Sequence, residues 1–206
     1  MTIGNREIMV LLLIVLTLLC LFVPLYTYLL YPLLLWVLTR KKNRITHEQV
    51  DATPLVTLII SCYNEASVIK EKLENSFSLD YPREQLNIIV VSDGSDDGTD
   101  DIVKEYANTS VQLIRQEGRL GKTMGLNLAM EQVKSDFVVF SDANTNLSQD
   151  SIMHIVRCFK DPKVGCVSGE KRIVNNVSDT AAGSGEGLYW KYESKLKKWD
   201  AFIHWS

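Results

Sequence analysis

Four short segments carry residue types that could do chemistry together. The first is Cys62-Tyr63-Asn64-Glu65. The second is Asp93-Gly94-Ser95-Asp96-Asp97-Gly98-Thr99, the third Gly118-Arg119-Leu120-Gly121-Lys122, and the fourth Asp142-Ala143-Asn144. Carboxylates can hold ribose hydroxyls and a divalent cation. Glycines allow a backbone to approach a phosphate, and a helix beginning near Lys122 would offer amide donors. Acids, an amide, glycines and one lysine in this mixture point to a nucleoside diphosphate bound with a metal.

Each segment has a plainer reading. Asp93–Thr99 also reads as a turn and helix N-cap. Glu65 reads as a first-turn acid favoured by the helix dipole, and Asp142 as a cap. A calcium loop from Asp93 fails, because Lys104 stands where a bidentate Glu is required. Gly118–Thr123 ends like a phosphate-binding P-loop, but Gln116 stands where that motif needs its first glycine. The dinucleotide fingerprint GxGxxG is absent.

The elements that must position these segments follow from the apolar pattern. Runs at Val56–Ser61, Asn87–Ser92, Val111–Arg115, Phe137–Ser141 and Val164–Ser168 read as strands. Most are continuously apolar, as in parallel strands covered on both faces. Helical stretches fall near Ala66–Phe77, Thr99–Tyr106, Lys122–Val133, Gln149–Phe159 and Leu188–Trp205. The alternation predicts a doubly wound α/β domain with a mostly parallel sheet. Ligands in such sheets bind beyond the carboxyl ends of the strands. The four segments all fall there.

A different element comes first. Ile8–Thr39 is 32 residues without a charge, and about 20 apolar residues cross a bilayer as a helix. Pro24 and Pro32 should kink it. Its apolar core is too long for a cleaved signal peptide. Arg40-Lys41-Lys42-Asn43-Arg44 follows directly, against Arg6 upstream. The positive-inside rule then places the remainder in the cytoplasm. The expected organisation is a single-pass membrane anchor with its basic flank (1–44), a linker (45–54) and an α/β domain (55–206).

Charge and cysteine usage remove other classes. The net charge is −3, divided as +3 over residues 1–50 and −6 over 51–206. An acidic domain is a poor nucleic-acid binder. Four cysteines without CxxC pairing make neither a disulfide scaffold nor a zinc site.

The segments, in this order, resemble the family 2 glycosyltransferases with the GT-A fold, in their membrane-bound, polysaccharide-synthase-like branch. The matching text is Ile60–Glu65, Val91–Thr99, Gly118–Asn127, Phe140–Asn144 and, further on, Gly187–Glu193. The resemblance implies inverting transfer of a sugar from a nucleotide-diphosphate sugar, with a UDP-sugar as expected donor, to a polysaccharide or lipid acceptor. It sets Tyr63, Glu65, Asp93, Lys122 and Asp142 against the substrate. It gives Asp142 and Asn144 the metal-binding position, with Mg or Mn as cofactor. Asn144 departs from the acidic form and contributes an oxygen without charge. The family's general base lies on a later acidic loop, and neither Asp179 nor Glu186 matches it. The domain is therefore expected to be incomplete at its C-terminus, holding the donor half and inactive in transfer by itself. The alternatives are a non-catalytic, membrane-anchored nucleotide-sugar-binding subunit that assembles with a partner, and a P-loop NTPase.

Overall fold

The computed structural model describes residues 3–40, 53–107, 110–170 and 181–204. Most of the linker, Lys41–Arg44 of the basic flank and Asp179 lie outside the described residues, as does the side chain of Glu186. The chain divides into two compact units, one of residues 1–45 with 168–206, the other of residues 46–167.

The first unit contains α1 (Ile3–Leu25), a π-helical turn (Tyr26–Leu30), α2 (Tyr31–Thr39) and α7 (Ala181–His204). Arg6–Thr39 is long and apolar enough to cross a membrane, and its most apolar window is not buried by protein. Pro24 has no N–H to give the turn behind it, and the π-helical winding begins two residues later. Pro32 sits in the first turn of α2, which continues directly from the π-helical turn, and likewise has no N–H to give the winding behind it. Tyr31 Oη donates to Asp200 Oδ1 at 3.0 Å, and Tyr192 Oη to the Tyr28 carbonyl at 3.1 Å. Pro32, Leu35 and Thr39 are buried on that side of α2.

The second unit is a parallel sheet of β1 (Val56–Cys62), β2 (Leu86–Ser92), β3 (Val111–Arg115) and β4 (Phe137–Asp142), in the order β3-β2-β1-β4. Helices α3 (Ile69–Phe77), α4 (Thr99–Glu105), α5 (Lys122–Met130) and α6 (Ser151–Cys158) connect or follow the strands. Leu58 and Ile60 of β1 join a core with Ile69, Leu73, Val103 and Ile152. Ile59, one residue out of phase, points the other way to Val91 and Ala129. Period-2 alternation thus gives β1 two buried faces, which is why its sequence is apolar throughout.

The chain steps outward from β1 to β2 to β3, then returns to lay β4 on the other side of β1. That reversal opens a crevice at the carboxyl ends of β1 and β4. Register aligns Ser61 with Asp142 and Cys62 with Ser92.

One expected strand is not formed. Val164–Ser168 pairs with no strand among the described residues and is largely exposed. Gly165 interrupts its short apolar run, and the sheet ends at β4 on that side. Helix α3 also starts later than expected, at Ile69, because Glu65–Val68 form a turn.

Candidate functional site

The four segments converge on one cleft of about 180 Å³ at the ends of the strands. Tyr63, Glu65, Asp93, Lys122, Asp142 and Asn144 all line it. Cys62, which opens the first segment, lines it too, and so do Ser61, Val91 and Gln116, which lie outside the four segments.

The first two loops are locked to each other. Asn64 takes a left-handed conformation (φ 53°). Its Nδ2 donates to Asp96 Oδ1 at 2.8 Å, and its Oδ1 accepts from Asp96 N at 3.0 Å. Asp97 Oδ2 accepts from Ala66 N at 2.9 Å, and Thr99 Oγ1 accepts from Glu65 N at 2.9 Å. The Thr99 hydroxyl, and then the Ala66 N–H, hold the Asp97 carboxyl below the usual range. Asp97 Oδ1 also accepts from Thr99 N at 3.0 Å, a local turn, but the other bonds of Asp96, Asp97 and Thr99 hold the first loop, and α4 starts from Gly98 without a side-chain cap.

Asp93 ties the second loop to the third. Its Oδ1 accepts from Gln116 Nε2 at 2.8 Å, Leu120 N at 2.9 Å and Gly121 N at 3.0 Å. Gln116 is only 1% exposed, and its Oε1 has no partner. This geometry removes the P-loop reading. Two amides of the Gly118–Lys122 segment, expected to face a phosphate, are already given to Asp93. Gly125 lets α5 come close, since a Cβ there would meet Val91 Cγ1 at 2.6 Å and Gln116 Nε2 at 2.8 Å.

The fourth loop carries the charge pair. Lys122 Nζ lies 2.5 Å from Asp142 Oδ1, with both side chains about half exposed. Ser61 Oγ donates to the same oxygen at 3.2 Å. At the rim, the Arg119 guanidinium stacks 4.2 Å over the Tyr63 ring. Burial, then nearby Asp100 and Glu65, push the Cys62 thiol up to about 12, away from the thiolate form.

No cluster of three or more His, Cys, Asp or Glu side chains suited to a metal occurs among the described residues. The donor set at Asp142 and Asn144 nevertheless fits a hard divalent cation. It is all oxygen, one carboxylate is already held against an ammonium, and Mg²⁺ is commonly bound by one or two carboxylates, with waters and phosphates completing the shell.

These features define an α/β domain of the GT-A class. The same fold occurs in a mannosyltransferase from Pyrobaculum calidifontis, solved with GDP-Man and Mn²⁺ (TM-score 0.63, 33% identity, 70% of this chain and 45% of that chain). Residues 57–205 match the model of glycosyl transferase family 2, and the chain belongs to that family. Among curated relatives, a poly-beta-1,6-N-acetyl-D-glucosamine synthase of Staphylococcus epidermidis is 33% identical over 134 residues, covering 64% of this chain. One from Staphylococcus aureus strain COL is 36% identical over 132 residues, covering 63% of this chain. The chain spans 31% of the length of each.

Proposed function

We propose that this chain carries the donor site of a membrane-anchored inverting glycosyltransferase that takes a nucleoside diphosphate sugar, with uridine as the nucleoside. The carrying observation is the single cleft that gathers all four loops at the β1–β4 crevice. Family membership and relatives named as polysaccharide synthases support transfer to a growing glycan. The uncharged stretch Ile8–Thr39, with the basic flank behind it, supports an anchor with the domain on the cytoplasmic side.

Tyr63 and Glu65 border the nucleoside end, and Asp93 shapes that end by fixing the third loop. Lys122 sets positive charge against the diphosphate, where a leaving anion develops. Asp142 and Asn144 would hold the divalent cation, which neutralises diphosphate charge when bound. The acceptor proton must pass to a base, and none of the six cleft residues is assigned that role.

Calorimetry on the detergent-solubilised chain tests the reading. UDP should bind more tightly than GDP, and Mn²⁺ should increase its affinity. Asp142→Ala should abolish the Mn²⁺ effect. Equal binding of both nucleotides would reject the uridine assignment, and no nucleotide binding would reject the donor site.

A further inference from the structure

Three side chains on α3 grip the segment that leaves β4. Glu71 Oε1 accepts from Asn146 Nδ2 at 2.7 Å. Asn75 pairs both backbone groups of Leu147, donating to its carbonyl at 2.9 Å and accepting from its N–H at 2.8 Å. Lys72 donates to Ser141 Oγ at 2.7 Å and to the Thr145 carbonyl. Ser141 and Thr145 bracket Asp142-Ala143-Asn144.

Lys72 is the unusual member. It is 0% exposed and among the largest fully buried side chains of the chain. Lysine is almost never fully buried unless paired with a charge. Its hydrogen-bond partners among the described residues are a hydroxyl and a carbonyl, not a carboxylate. Ile69, Lys72, Leu73 and Ser76 form the buried stripe of α3, so a methionine would fill the position without burying charge. Burial pushes the ammonium down to about 8, and Asp142 pulls it partly back. A buried cation kept beneath one loop, at an energetic cost, argues for work done on that loop.

We propose that Lys72 is a positioning residue: its ammonium, beneath the β4 exit, fixes the spacing of Asp142 and Asn144 so that the two oxygens can share one divalent cation with a diphosphate. This rests on the donor-site reading above. Lys72 touches neither nucleotide nor metal and acts through Ser141 and Thr145. Removing it should leave the cleft formed by β1, β2 and β3 intact and loosen only the cation-holding loop.

The test is UDP binding by calorimetry with and without Mn²⁺ on the full chain in detergent, with circular dichroism as the check on folding. In Lys72→Met, the Mn²⁺-dependent gain in UDP affinity should fall about 10–100-fold, the usual effect of losing a group that orients metal ligands, while metal-free UDP affinity stays within about two-fold. Ser141→Ala keeps the ammonium and its Thr145 bond and should show a smaller loss in the same direction. A full Mn²⁺ gain in Lys72→Met overturns the positioning role and leaves the donor site standing. An equal loss with and without Mn²⁺ also overturns it, because the lysine would then support the whole cleft. If Lys72→Met does not fold, an unchanged Mn²⁺ gain in Ser141→Ala overturns it instead. Absence of UDP binding by the unmodified chain overturns both readings.

Discussion

Asp93 holds Gly121 with both of its carboxylate oxygens, which lie 3.0 and 3.1 Å from the Gly121 nitrogen. A side chain at the end of β2 thereby sets the backbone that launches α5 and places Lys122. The carboxylate shapes the cleft before it contacts any ligand.

Asp93→Ala should therefore destabilise the domain as well as weaken nucleotide binding. Loss of hydrogen bonds to a charged group, with the Gln116 amide left buried, should cost about 1.5–3 kcal/mol of unfolding free energy. Denaturant unfolding measures it. An unchanged midpoint with weakened UDP binding would mean that Asp93 is a ligand contact and not a loop anchor.

Lys122 should behave in the opposite way. Its pair with Asp142 is half exposed, and such pairs contribute about 0–1 kcal/mol to stability. A charge-assisted bond to a phosphate is stronger, so Lys122→Met should lower UDP affinity about ten-fold or more. Calorimetry and melting on one sample compare the two effects. A large loss of stability with unchanged affinity would make the pair structural.

Gly94 and Gly98 both have positive φ, +71° and +94°. A Cβ on Gly94 would also lie 2.9 Å from the Gly118 carbonyl oxygen, while Gly98 faces open space. Gly98→Ala should cost about 1–2 kcal/mol, the strain of a left-handed residue. Gly94→Ala should cost more, because that carbonyl belongs to the loop Asp93 holds. Equal midpoints for the two variants would show that the Gly118 contact carries no weight.

Lys72 makes stability depend on pH. Its folded value is about 8, against an ordinary 10.5. Between those values the unfolded chain binds the extra proton, so stability rises with pH. The unfavourable contribution of Lys72 is complete below about pH 8 and is relieved as pH rises toward 10. Relative to Lys72→Met, the unmodified chain should gain about 1–3 kcal/mol between pH 7.5 and 10. Denaturant unfolding of both at several pH values measures the difference. A constant difference would mean that the buried ammonium does not titrate there.

The sheet was legible because Val- and Ile-rich runs alternating with helical stretches read as doubly covered parallel strands, and the six cleft residues were legible because they lie at or just beyond the ends of those runs. Val164–Ser168 misled because a short apolar run says nothing about whether a neighbouring strand is there to pair with it. Asp96 and Asp97 were not separable from Asp93 by residue type. Only the geometry shows that they hold the first loop. Gln116 carried no signal beyond its place after β3. Lys72 did carry one: a lysine at i+3 from Ile69, on the face that Leu73 continues, breaks the amphipathic pattern. Its partners at the end of β4 and just beyond it are about 70 residues away in sequence, and no local rule links them.

The most direct test of the donor site is a crystal structure of this chain with UDP and Mn²⁺. The nucleotide should lie in the cleft between Tyr63 and Asp142, with its diphosphate against Lys122 and Mn²⁺ held by oxygens of Asp142 and Asn144. UDP bound elsewhere, or Mn²⁺ on the diphosphate without contact to Asp142, would contradict it.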